Sequence, residues 1–325
     1  MLYKLSKGVN KLANKKDINE NINESDKVFR KVVLSWFPGH MAKTMKQIEQ
    51  DLKLVDIVIE LLDARIPLSS QNPNVQKLIA NKKKIIVLNK SDLANEKENS
   101  RWISYFANKN IPAILFNSTS QDDISKVINK INEVMEGERK RQEQKGRNYK
   151  IARVMVLGIP NVGKSSFINK ISNKTAMQVG NKPGVTKQKQ WIRLANNIEL
   201  LDTPGVLWPK LGSDEVSLNL AYTGTIKSEV IDETEVAYNL TKFLLENYRE
   251  NVTERYKLNQ EDVEEILAND ELEENEKVVE VMNYIGRVRG AVQRGNTIDL
   301  DKTARIILTD FRSGNLGRIT LEIAK

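Results

Sequence analysis

The octapeptide GIPNVGKS at residues 158–165 constrains the fold more than any other stretch of this chain. It has the form G-x-x-x-x-G-K-[ST], with the apolar run ARVMVLG entering it and the helical pattern SSFINKIS leaving it. A loop of this composition needs a buried strand before it and a helix N-terminus after it. The glycines then let several backbone N–H groups converge on phosphate oxygens. Asn161, Val162, Gly163, Lys164, Ser165 and Ser166 are the expected cradle. Lys164 bridges the β- and γ-phosphates and counts among the catalytic groups, while the Ser165 hydroxyl ligates Mg²⁺.

Downstream, ELLDTPG places Asp202 at a strand end, followed by Gly205. A carboxylate there holds the Mg²⁺ shell through water, and the Gly205 N–H meets the γ-phosphate. Between these elements lies NKPGVTKQKQ, whose Thr186 is the expected second hydroxyl ligand of the metal. Thr175 and Thr203 compete for that role from worse places, one too near the helix and the other inside the D-T-P-G turn.

The stretch IIVLNKSDL begins at residue 85, far ahead of the phosphate loop. Its Asn89-Lys90-Ser91-Asp92 closes an apolar strand. Asp92 can accept from the N1–H and N2–H₂ edge of guanine, which adenine lacks. The Lys90 stem can cover the base and Asn89 can tie this loop to the phosphate loop. Ser118, after the next strand in FNSTS, suits an accessory base-contacting loop. Each match is short, but all fall at strand ends of one sheet. Together they predict a guanine nucleotide site that binds GTP and GDP.

Strands alternate with helical patterns from IVIELLDARIP through NIELLDTPG, and six such runs predict one mostly parallel sheet with helices on both faces. The fold expected is α/β for residues 34–212, followed by a small all-α domain over 213–325. Residues 1–33, rich in Asn and Lys, read as a flexible extension without the apolar core of a secretory signal. No apolar run approaches the roughly 18 residues of a membrane span. The chain has no cysteine, which excludes disulfides and thiolate chemistry and fits a cytoplasmic location. The net charge of +8 is unevenly spread, with basic clusters at 138–153 and 287–318, and such surfaces favour nucleic acid.

In chain order the elements run base reader, accessory loop, phosphate loop, Thr segment, Asp-x-x-Gly. An ordinary GTPase begins at the phosphate loop, so this order is a circular permutation of it. The sheet survives such a cut because domain termini lie close together. WFPGHMAK, DARIPLSSQNP, NKSDL, GIPNVGKSS, NKPGVTK, LDTPG and GRITLE together resemble the circularly permuted GTPases, and within them the ribosome biogenesis GTPase A family. The resemblance runs from Trp36 onward; residues 1–31 extend beyond the family's usual start. It implies a GTP-hydrolysing assembly factor that binds precursors of the large (50S) ribosomal subunit and leaves on hydrolysis, monomeric away from the ribosome. It also implies a C-terminal helical domain that contacts rRNA, here through Arg287, Arg289 and Arg294. The residue after D-T-P-G is Val206, where many GTPases carry a water-orienting glutamine. The resemblance gives that task to His40, the chain's one histidine. Asn161 is either a backbone-capping side chain or a ligand of K⁺, an ion that would supply fixed positive charge. The alternative is a nucleotide-gated RNA- or protein-binding switch in which hydrolysis is incidental.

Overall fold

The computed structural model describes residues 38–120, 122–146, 151–175, 191–194, 197–203, 205–208, 213–226 and 228–324, without the side chains of 38–42 and 173–175. The N-terminal extension and Thr186 lie outside the described residues, as does the His40 side chain.

Six strands, β1 (Ile57–Asp63), β2 (Lys83–Asn89), β3 (Ala113–Phe116), β4 (Ala152–Gly158), β5 (Trp191–Leu194) and β6 (Ile198–Asp202), form one sheet. Their order is β3-β2-β1-β4-β6-β5, and every neighbouring pair is parallel except β5 with β6. Counted from β4 as the first strand, that order becomes 6-5-4-1-3-2, the sheet expected of a GTPase whose chain has been cut after β6.

The inner strands are continuously apolar because both faces are covered. Ile57, Ile59 and Leu61 of β1 pack on one side with Val127 and Ile131 of α4 (Asp122–Glu143) and Phe167 and Ile171 of α5 (Lys164–Thr175). Val58 faces the other side, against Ile48 and Leu52 of α1 (Pro38–Leu52) and Val75 and Ile79 of α2 (Pro73–Ile79). Leu62, Ile86 and Leu88 pack there against Trp102 and Phe106 of α3 (Glu96–Asn108). Glu60 breaks the apolar run of β1 yet is buried, where Gln76 of α2 donates to it and Lys84 lies 3.7 Å away. Burial raises its carboxyl above the usual range against these partners.

Helix boundaries follow local chemistry. Asn72 caps α2, its side chain accepting from Asn74 N at 3.0 Å, with Pro73 in the first turn. The sequence pattern extends that helix to Lys82, but it stops at Ile79, and Lys82 closes a turn onto the Ile79 carbonyl at 2.9 Å before β2 begins.

After β6 every described element is helical: α6 (Asp214–Tyr222), a short 3₁₀ turn at Ser228–Val230, α7 (Glu233–Asn247), α8 (Arg249–Tyr256), α9 (Gln260–Ala268), α10 (Glu274–Val288) and α11 (Leu300–Ser313). The buried stripes of α7 (Val236, Leu240, Leu244) and α11 (Ala304, Ile307, Phe311) belong to one cluster that also contains Ile66, Leu207 and Trp208. Among the described residues no helix is long and apolar enough to cross a membrane.

Candidate functional site

The parallel register brings the ends of β1, β2, β3, β4 and β6 to one edge of the sheet: Asp63 lies opposite Asn89, Asn89 opposite Phe116, and Leu61 opposite Gly158. Loops leaving the carboxyl ends of parallel strands are the usual ligand-binding edge of such a sheet. Every described candidate for the nucleotide site lies at these strand ends, in the loops that leave them or in the first turn of α5.

Two bonds join the base-reading loop to the phosphate loop. Asn89 Nδ2 donates to the Val162 carbonyl at 2.7 Å, and Lys90 Nζ donates to the Asn161 carbonyl at 3.0 Å. The contact requires a glycine between them, because a Cβ on Gly163 would run into Asn89 Nδ2 and Gly163 adopts φ +95°. The Asn89 Oδ1 is buried and has no hydrogen-bond partner among the described residues, which leaves an acceptor for a ligand. Asp92 is exposed on the same loop, and Ser118 is half-buried on the neighbouring one.

On the phosphate side, Lys164 Nζ lies 2.6 Å from Asp202 Oδ1, joining the first residue of α5 to the end of β6. Ser165 follows in that turn, and Gly205 is exposed beside Pro160 of the phosphate loop. The Ser165 hydroxyl and the Asp202 carboxylate are hard oxygen donors, so the described part of the site fits Mg²⁺. Asn161 has φ +58° and its Nδ2 donates to the Gly224 carbonyl at 2.6 Å. Thr203 is buried with its hydroxyl on the Val156 carbonyl at 2.6 Å, which removes it as a metal ligand. Val206 points into the core beneath α1 and is 5% exposed, with its N–H on the Gly158 carbonyl and its own carbonyl on Asn72 Nδ2. A side chain at that position cannot address a water at the phosphates.

Behind the loops sits a charged group that the motifs do not announce. Asp63 is buried at the end of β1 and receives Arg65 through two parallel bonds, Nε to Oδ1 at 3.0 Å and Nη2 to Oδ2 at 2.8 Å. Lys90 Nζ adds a third cationic contact at 3.0 Å. Burial pushes the Asp63 carboxyl up, but Arg65 and Lys90 together outweigh it and hold the group well below the usual carboxylate range. Arg65, which in DARIP reads as a partner for a sheet-edge carboxylate or phosphate rather than a finger, pairs with Asp63 of β1. The arginines expected to meet rRNA, Arg287, Arg289 and Arg294, are all exposed, and Arg289 also lies 3.6 Å from Asp310 and over the Tyr256 ring.

A family model described as "50S ribosome-binding GTPase" matches residues 153–284, beginning in the phosphate-loop strand and leaving the base-reading loop upstream of the match. Ribosome biogenesis GTPase A of Bacillus cereus is 40% identical over 291 residues, covering 90% of this chain and 94% of that protein. Mitochondrial ribosome-associated GTPase 1 of Bos taurus is 35% identical and covers 89% of both chains. GNP-bound YlqF from T. maritima superposes with a TM-score of 0.59 at 24% identity, over 87% of this chain and 99% of that one, and so shares the fold. With a rotated GTPase sheet and relatives at this identity over nearly all of its length, the chain belongs to the ribosome biogenesis GTPase A family.

Proposed function

We propose that this chain binds GTP at the carboxyl edge of its sheet, hydrolyses it to GDP and phosphate, and couples that cycle to assembly of the large ribosomal subunit. One observation carries the nucleotide reading: the loop bearing Asp92 is bonded through Asn89 and Lys90 to the backbone of the phosphate loop. A base held by the first loop would have its phosphates delivered to the second. Asp92 would select guanine, and Asn161, Val162, Gly163, Ser165, Ser166 and Gly205 would surround the phosphates, with Ser118 closing the base pocket. Lys164 is poised to exchange the Asp202 carboxylate for phosphate oxygens as nucleotide enters. Ser165, Thr186 and, through water, Asp202 would hold Mg²⁺, which when bound neutralises charge on the phosphates. Asn161 spends its amide on Gly224, so its service to K⁺ would require releasing that carbonyl.

Water must be oriented by a group other than residue 206, since Val206 is turned into the core. His40 is assigned that task. The helix carrying it, α1, packs through Ile48 and Leu52 on the same cluster as Val206. The relatives' names place them at ribosomes, and the chain's partner is proposed to be a precursor of the large subunit, met in part through residues 213–325. The experiment is GTP turnover with and without large-subunit particles. Particles are expected to stimulate turnover, and His40→Ala to abolish the stimulation while leaving GTP binding intact. Turnover indifferent to particles would leave the protein a nucleotide-gated switch.

A further inference from the structure

The chain leaves α11 through Gly314 and returns across the nucleotide edge of the sheet. Gly314 takes φ +78°, the left-handed cap that turns the backbone out of the helix. Residues 318–320 of this segment run along the base-reading loop and bond to it at four points. Arg318 Nη2 donates to the Ser91 carbonyl at 3.1 Å, and Arg318 Nε donates to the Ala94 carbonyl at 2.9 Å. Ile319 N donates to the Leu93 carbonyl at 2.9 Å, and Asn95 N donates to Thr320 Oγ1 at 2.9 Å. Asp92 thus sits on a loop whose flanking carbonyls at Ser91, Leu93 and Ala94 are all held by one distant segment.

The same segment is fixed firmly at its far end. Glu322 is largely buried and accepts from Ser69 N at 2.8 Å, Leu68 N at 2.6 Å and the Ser69 hydroxyl, while Trp102 Nε1 donates to its carbonyl at 3.0 Å. Leu321 N donates to the Arg65 carbonyl at 2.9 Å. Arg65 in turn holds Asp63, which holds Lys90. The loop is therefore gripped from its backbone side by Arg318 and from its Lys90 side through Arg65. Both grips lead back to residues after α11. Between these anchors, Arg318, Ile319 and Thr320 place four bonds on residues 91–95, either side of Asp92.

We propose that residues 314–322 form a strap that sets the position of Asp92, with Arg318 as its positioning residue, so that the C-terminal segment determines how well the site discriminates guanine from other bases. This rests on the reading of residues 89–92 as the base-contacting loop. Arg318 touches no nucleotide in this scheme; it acts through the carbonyls of Ser91 and Ala94. Because it acts on the base side alone, its loss should weaken base recognition and leave the phosphate side untouched.

The test uses the full-length chain and titrates fluorescent GDP and IDP; IDP lacks the 2-amino group that Asp92 would read. Arg318→Ala should weaken GDP binding about tenfold, the effect of losing charge-assisted bonds that fix a contact, and should move the GDP-to-IDP preference towards unity. At saturating GTP, kcat should stay within about twofold, so the defect appears in KM. Arg318→Lys, which can reach one carbonyl and not both, should recover part of the preference. Thr320→Val removes an independent bond of the strap and should shift the preference in the same direction by less. An Arg318→Ala protein that keeps the preference, that loses GDP and IDP affinity equally, or that loses kcat with KM unchanged, overturns the strap alone. An unaltered chain with no preference for GDP over IDP overturns the base-loop reading and the strap with it.

Discussion

Asp63 shows how much of the site is decided by single side chains behind the motif residues. Its carboxylate is 2% exposed and Arg65 1%, so neither charge can turn to water if the other is removed. Asp63→Asn should cost about 3–5 kcal/mol in urea unfolding, because the Arg65 guanidinium would remain buried without its counter-charge. The pH dependence follows from the depressed carboxyl. Such a group stabilises the fold above its unfolded value, about pH 4 for Asp, and the contribution is lost as pH falls toward the folded value. The gap between the unaltered chain and Asp63→Asn should therefore be constant from about pH 5 to 8 and narrow in more acidic solution. The pairing of Arg65 with a sheet-edge carboxylate was readable in DARIP, but the burial of Asp63 and its third contact, from Lys90, were not. Its pairing with Lys90 depends on the β1–β2 register, which sets Asp63 opposite Asn89. The tie of Asn89 to the phosphate loop, by contrast, was legible, because both loops leave strands of one sheet at the same edge.

At the scale of elements, α11 and the strap are joined at Gly314, and its substitution separates conformation from contact. Gly314→Ala should destabilise the chain by about 1 kcal/mol, since alanine disfavours φ +78° and its Cβ would also press on Leu93. Gly137, inside α4 with open space around it, is the control. Gly137→Ala should stabilise by about 0.5–1 kcal/mol, read in the same unfolding measurement. The six strands were visible as apolar runs, and residues 213–325 were readable as helical. GNLGRITLE after α11 carried no periodicity of its own. It makes its bonds to loops more than two hundred residues away, as Arg318 does to Ser91, and no local pattern encodes such partners.

For the whole molecule, the rotated strand order was readable from motif sequence alone, because each motif belongs to the end of a particular strand. The sequence links nucleotide state to the C-terminal region through the segment after Asp202. The structure adds two more ties, Asn161 to Gly224 on the phosphate side and the strap on the base side. The basic surface divides in the same way. Charge reversal at Arg287 and Arg294 should flatten the salt dependence of particle binding by about one counterion per lost phosphate contact. Arg289→Glu should instead loosen α10 from α11, because Arg289 is already engaged with Asp310. Coupling between nucleotide and particle must be reciprocal, so a GTPase that uses these ties will bind particles differently in its two nucleotide states. The most direct measurement is co-sedimentation of the full-length chain with large-subunit precursors, in a non-hydrolysable GTP analogue and in GDP. Binding at least about tenfold tighter with the analogue is expected, and equal binding in the two states would contradict coupling through these ties.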